Sequence, residues 1–269
     1  MLKLNTNSNQ FLTKNEIRSK ASSIFTANAA SNVSEKYTHI PTEKVIDDMA
    51  LLGWNVIDAK QVKTRGVGGY QKHLVVFRNN DIQITGENND VVYPQILLTN
   101  SHDGKNSFTF TAGLFRMICE NGLVISTQTF ENMRIRHMGY SFEELQQTIK
   151  QMLERLPLTV EAMNHLTQIE LGQEQALEFA QKALQVRFKD EAENIQIDLE
   201  EMLRPTRKED ETPSLWNVYN TIQEKLINGG FTYLNVESNK VRKARKIKNF
   251  QQDMKINSEL FELAMEYAN

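Results

Sequence analysis

The stretch Phe108-Thr-Phe-Thr-Ala-Gly-Leu-Phe-Arg-Met-Ile-Cys-Glu-Asn-Gly-Leu-Val-Ile-Ser126 decides how the chain is read. Phe108 and Phe110 alternate with threonines, the two-residue period of a half-buried strand. Ala112, Leu114, Phe115, Ile118 and Cys119 then recur at helical spacing, with Arg116 as the only cation among them. Asn121-Gly122 reads as a helix stop, since glycine can take the left-handed conformation there. Leu123-Val124-Ile125 resumes as a strand. Strand, buried helix, stop and strand in so short a span imply a sheet with helices packed on it. No hydrolase, kinase or nucleotide-binding motif falls within it. These residues specify an architecture rather than an activity.

Toward the N-terminus, residues 1–40 are rich in Asn, Ser, Thr and Ala and read as a mobile arm, or one that orders against a neighbouring subunit, with a short helix around Glu16 to Ile24. Pro41-Thr42 opens a helix with Thr42 as N-cap. Val45, Ile46, Met49, Ala50 and Leu52 line one face, and Gly53 ends it. Trp54 to Ile57 begins a strand, Lys60 to Tyr70 is a glycine-rich hairpin tip, and Lys72 to Arg78 is a strand centred on Leu74-Val-Val-Phe77. The Gly66-Val-Gly-Gly69 sequence is no phosphate loop, because neither Gly-Lys-Ser/Thr nor a helix follows it. Val91 to Asn100 gives a further strand, whose Pro94 suggests an edge or a strand start. Met133, Ile135 and His137 alternate with Arg134, Arg136 and Met138, a strand with a basic face.

From Ser141 the pattern turns helical. Ser141 and Glu144 form a capping box ahead of Leu145, Ile149, Met152, Leu153 and Leu156, and Pro157 is expected to break that helix. Thr159 caps the next, Gln173 to Phe188 forms another, and the charge-rich 189–211 segment, broken by Pro205, reads as the weakest domain boundary. Thr212-Pro213 starts a helix that ends at Gly229-Gly230. Lys240-Val-Arg-Lys-Ala-Arg-Lys-Ile-Lys248 places six cations in nine residues, and a helix from about Asn257 to Tyr267 closes the chain. The whole reads as α+β: an arm (1–40), an antiparallel sheet core with packed helices (41–140) and an all-helical C-terminal half (141–269).

Composition narrows the function classes. The net charge of −3 excludes a globally basic nucleic-acid binder and makes any such surface local. The single cysteine, Cys119, excludes a disulfide framework and reads as a small core residue. No apolar run reaches the ~18 residues of a membrane span, and Met1 to Gln10 lacks the apolar core of a signal peptide. The expected location is the cytoplasm of a bacterial host, with no membrane partner. His39, His73, His102, His137 and His165 show no ligand spacing, so no metal, cofactor or catalytic residue is indicated. His102-Asp103 sits in a turn with Gly104, where both residues are ordinary.

The remaining chemistry is basic. Lys60, Lys63, Arg65, Lys72 and Arg78 run without an intervening acid, with Tyr70 and Phe77 interleaved, and Arg134 and Arg136 share a strand face. On one sheet they would form a groove that neutralises phosphates, with Tyr70 stacking on a base. Exposed strands also carry such cations simply to discourage edge pairing. Lys240, Arg242, Lys243, Arg245, Lys246 and Lys248 form a second basic site. Its bland alternative is a solvated helix face paired with the acidic 190–211 segment.

Two blocks carry a resemblance. Phe115-Arg-Met-Ile-Cys-Glu-Asn-Gly-Leu-Val124 resembles the LRxxCxNGLV core of an uncharacterised phage- and plasmid-encoded family, a domain of unknown function. Thr212-Pro-Ser-Leu-Trp-Asn-Val-Tyr-Asn-Thr-Ile-Gln-Glu-Lys-Leu226 is similar to its WNxYNAxxE segment, with Thr221 in place of the usual alanine. The likeness spans about residues 40–265 and brings no settled activity. The order of elements over 42–125, with the Gly53-Trp54 step, is also similar to the core of single-strand annealing recombinases. That likeness implies rings or filaments holding single-stranded DNA in a basic groove. The expectation is therefore a non-enzymatic, homo-oligomeric protein that binds single-stranded DNA and anneals it in replication or recombination. The alternative is a phage-encoded inhibitor or decoy that binds a host defence protein.

Overall fold

The computed structural model describes residues 11–35, 37–64, 68–85, 91–116, 122–123, 133–134 and 141–269. The chain divides into two compact units, Lys3–Leu156 and Pro157–Asn269. Together they have the α+β character expected: an N-terminal antiparallel sheet with helices, then a mainly helical C-terminal half.

In the first unit, α1 (Lys14–Lys20) and a 3-10 turn (Ser22–Phe25) precede α2 (Thr42–Leu51). The sheet strands are β1 (Asn55–Gln61), β2 (His73–Arg78), β3 (Ile84–Thr85), β4 (Val91–Asn100), β5 (Thr109–Arg116), β6 (Gly122–Leu123) and β7 (Met133–Arg134). They run β1-β2-β4-β5-β6, with β3 also on β4 and β7 also on β5, every pairing antiparallel. Every residue of β2 is buried, as an inner strand covered on both faces requires.

The segment read as an arm is, from Leu12 on, part of this unit. Thr13 and Glu16 form a capping box for α1, Ile17 and Ile24 are buried, and Leu12 N–H donates to Val56 O of the edge strand β1. A few well-spaced apolar residues outweigh the polar composition. Thr42 is the first helical residue rather than the cap, which is Pro41. Gly53, at φ 81°, turns the chain out of α2 and brings the buried Trp54 under the sheet.

The deciding stretch behaves differently from its reading. There is no helix from Ala112: β5 runs unbroken to Arg116, in register with β4 from Thr99↔Thr109 to Val92↔Arg116. Its apolar positions satisfy both periods, and the long partner strand selects the extended form. Gly122–Leu123 then pairs back onto Phe115 and Leu114. Asn121, Cys119, and Val124 with Ile125 lie outside the described residues. Pro94 is on an inner strand, not an edge. It falls where β4 passes from β3, which covers Val91 and Val92, to β2, which begins at Gln95. Facing a gap there, its missing N–H is tolerated.

The second element of surprise is α3 (Phe142–Gln168), which continues through Pro157 instead of stopping. Ser141 Oγ accepts from Glu144 N–H at its start, as read. Buried Leu145, Ile149, Met163 and Leu166 stay in helical phase on both sides of the proline. That shared face outweighs one lost backbone bond, and Thr159 is interior. The division between units falls at Pro157.

The second unit holds α4 (Gln173–Phe188), β8 (Ile195–Gln196), α5 (Leu199–Leu203), α6 (Leu215–Asn228), β9 (Thr232–Asn235), β10 (Lys240–Lys243) and α7 (Phe250–Tyr267). The helical half therefore also carries a small antiparallel sheet, β10-β9-β8. Ser214, not Thr212, caps α6 by accepting from Asn217 N–H. The Trp-Asn-x-Tyr-Asn block is the core of this unit. Trp216 stacks on Tyr219 at 5.9 Å and Tyr219 meets Phe261 edge-on at 6.0 Å. Asn217 donates to Thr212 Oγ1 (2.5 Å), Asn220 to Trp216 O (2.7 Å) and Gln223 to Asn257 Oδ1 (2.7 Å). Thr221 is buried among them. The block's polar residues fasten helices, which accounts for them without chemistry.

Candidate nucleic-acid interface

The hairpin between β1 and β2 was expected to carry a row of free cations. Two of them are committed inside the fold. Lys60 pairs with Asp58 Oδ2 at 2.9 Å, and the same carboxylate, 1% exposed, holds Lys20 at 3.2 Å. Residues two apart on a strand share a face, so the acid that neutralises Lys60 stands just before the run rather than within it. Arg78 is buried, with its guanidinium 5.2 Å from the Tyr93 ring centre, and desolvation lowers its pKa. Lys72 is half-buried, and its pKa is lowered for the same reason. Tyr70 is half-buried and accepts through its carbonyl from His102 N–H, while Lys63 is exposed. Arg134 lies opposite Thr109 in the β5–β7 pairing. Arg65 and Arg136 lie outside the described residues.

Beneath this hairpin the sheet brings together three histidines that are far apart in sequence. The His102 ring centre is 4.6 Å from His39 and 5.1 Å from His73. Asn100 Nδ2 donates to Thr42 Oγ1 (3.0 Å), which lies 2.8 Å from His73 Nε2, and His73 Nδ1 faces Gln71 O at 3.2 Å. This relay fits a neutral imidazole with the proton on Nδ1. Burial, and then the neighbouring His102, push the His73 pKa down to about 3. Asp103 accepts from Ser101 Oγ and Lys105 N–H, so His102-Asp103 belongs to a turn. The β2–β4 pairing brings His73 near His102, and the chain ahead of α2 adds His39; no local spacing signals the cluster.

The second basic site is the open one. It is not a helix: Lys240–Lys243 is the edge strand β10, exposed at all four positions, and 244–248 follow with neither helix nor strand. Its anchors are apolar. Ile247 packs with Ile227 and Ile256, Ala244 is buried, and Ile247 N–H donates to Ile227 O at 2.8 Å. Gly229 and Gly230 permit this approach, since Gly230 N–H donates to Ala244 O at 2.9 Å and a Cβ on Gly229 would lie 2.6 Å from that oxygen. Arg187 completes the clamp, donating to Leu226 O and, at 2.6 Å, to Arg245 O. With the anchors turned in, Lys240, Arg242, Lys243, Arg245 and Lys248 are exposed and Lys246 is half-exposed. None of the six pairs with a carboxylate among the described residues. In the acidic segment Asp210 is held by Arg207 (3.2 Å), which also bridges Glu224 of α6 (2.6 Å), and Lys225 donates to the backbone carbonyls of Met202 (3.1 Å) and Arg204 (2.6 Å).

Beside this segment lies an open cleft of about 800 Å³, lined by Arg187, Phe188, Tyr233, Arg242, Lys243 and Arg245 over Ala244. Tyr233 of β9 pairs directly with Arg242 of β10. Sequence reading marked the cations but not the aromatic wall, because Phe188 ends one helix and Tyr233 sits forty-five positions later on a short strand outside every element expected from the sequence.

Among the described residues no helix is long and apolar enough to cross a membrane. Residues 29–261 match the family described as Domain of unknown function (DUF932). UPF0380 protein YafZ of Escherichia coli (strain K12) is 30% identical over 255 residues, covering 94% of this chain and 90% of that protein. UPF0380 protein YfjQ of the same strain is 31% identical over 258 residues, with the same shares covered. No solved structure matches. The chain belongs to the DUF932 family.

Proposed function

We propose that this member of the DUF932 family is a non-enzymatic protein that binds single-stranded nucleic acid through the Lys240–Lys248 segment. One observation carries the reading: six cations stand on a clamped, non-helical segment whose apolar residues are all but one turned inward, and none has a carboxylate partner among the described residues. Such a strip neutralises successive phosphates without reading bases, and it does so on a chain whose net charge is −3. The role that follows is annealing of complementary strands in phage or plasmid replication and recombination, by an assembly of copies of this chain. The helix α2 running into the Gly53-Trp54 step and the antiparallel strands that follow it support that role, while the helix expected from Ala112 is the strand β5 instead.

A second reading places an acidic surface of a host defence protein on the same strip. Val236 and Val241, 55% and 75% exposed on the β9–β10 hairpin, favour it, since protein partners cover apolar side chains and phosphates do not.

Charge reversal separates the two basic sites. Fluorescence anisotropy with a labelled single-stranded oligonucleotide should show Arg242→Glu/Lys243→Glu/Arg245→Glu weakening binding at least tenfold, with a salt dependence shallower by about two in log–log slope. Lys63→Glu should change little. The opposite pattern would return the site to the β1–β2 hairpin. Loss of a host-protein complex, with no oligonucleotide bound by the unaltered chain, would support the second reading.

A further inference from the structure

We propose that the cleft beside β10 is a base-stacking subsite, in which one unpaired base lies against the Tyr233 ring while the phosphates flanking it rest on Arg242, Lys243 and Arg245. This rests on the nucleic-acid reading above and adds what the cations alone do not supply, a preference for strands whose bases are free.

The cleft is built from two kinds of side chain. Two rings line it, Phe188 and Tyr233, 5.3 Å apart and tilted by 59°, and Phe231 lies behind them, 6.4 Å from Phe188 and 6.5 Å from Tyr233. Phe231 is buried and braces the other two, while Tyr233 stays half-exposed. Arg242 stands directly across the β9–β10 ladder from Tyr233, so a cation and a ring share one face at the spacing of a cross-strand pair. No carboxylate lines the space. Its volume of about 800 Å³ falls within the range of sites that enclose small molecules, roughly 300–1,000 Å³.

Arg187 has a different part. Its guanidinium is held by Leu226 O and Arg245 O and lies 5.2 Å from the Phe188 ring centre and 5.5 Å from that of Phe231. It is a positioning residue that fixes the wall against the basic segment, and the three outer cations are left for phosphate. An acidic peptide or a simple polyanion would use the cations and ignore the ring. A base uses both, because every base has a face to stack.

The test compares two labelled oligomers of roughly 20 units, longer than the ~4–16 nucleotides that one single-strand-binding fold covers. One is oligothymidylate and the other is an abasic chain with the same phosphates. The full-length protein should bind oligothymidylate about tenfold or more tightly than the abasic chain. Tyr233→Leu should abolish that preference while leaving abasic binding unchanged, and Tyr233→Phe should keep it. Equal, salt-sensitive binding of both oligomers overturns the subsite and leaves the phosphate strip standing. A thymidylate preference that survives Tyr233→Leu places the base elsewhere and also overturns it, as does an equal loss of both oligomers in that variant. Failure to bind either oligomer removes the nucleic-acid reading itself.

Discussion

At the scale of single residues, the informative positions are polar groups placed inside the fold. His73 is 1% exposed, and its pKa of about 3 means that the fold accepts only the neutral ring. Its folded pKa lies below the unfolded value of about 6.5, so its contribution is complete above pH 6.5 and is lost as the pH falls from there toward 3. The full shift corresponds to about 5 kcal/mol. Urea unfolding midpoints should therefore drop between pH 6.5 and 4.5, and His73→Gln should flatten much of that drop; an undiminished slope would assign the acid sensitivity to other groups. Asp58→Ala should lower stability by about 2 kcal/mol, read from the same unfolding curves. That is less than the ~3–5 kcal/mol of a fully buried pair, because Lys20 and Lys60 are partly solvated. Neither site was legible in the sequence. The run from Lys60 to Arg78 shows no acid, yet the acid that matters is two residues upstream, and the three histidines meet only through tertiary structure.

At the scale of elements, Gln173 to Phe188, Val91 to Asn100, the hairpin strands and the glycine stop of α6 could all be read from period and punctuation. Local pattern failed where a partner decided. Residues 112–116 fit a helix or a strand, and ten residues of β4 made them a strand. Pro157 would end an isolated helix, but the apolar face continuing through Met163 and Leu166 carries α3 past it. The Lys240–Lys248 run was legible as chemistry and not as form, since its course is set by pairing with β9 and by hydrogen bonds to the end of α6. Gly229 is where that dependence is sharpest. With φ at 67° and ψ at −148°, it occupies a region that is essentially closed to other residues, and the backbone of Ala244 and Arg245 lies where a side chain would go. Gly229→Ala should cost about 2 kcal/mol in chemical denaturation. It should also weaken oligonucleotide binding even though no cation is lost. Unchanged affinity would show that the clamp does not shape the site.

At the scale of the whole molecule, a chain of net charge −3 carries a concentrated positive strip on the unit Pro157–Asn269. Asp210 of the acidic 190–211 segment is engaged by Arg207, and among the described residues no cation of the strip pairs with a carboxylate. The match over residues 29–261 and the two relatives identify the family, and the Trp-Asn-x-Tyr-Asn block serves packing. The most direct measurement of the central claim is a titration of the unaltered protein with a labelled single-stranded oligonucleotide over a series of salt concentrations. With about four to six phosphates neutralised at roughly 0.7 each, the account predicts that the logarithm of the association constant falls with the logarithm of salt at a slope of about −3 to −4. Absence of binding at low salt, or binding indifferent to salt, would contradict it.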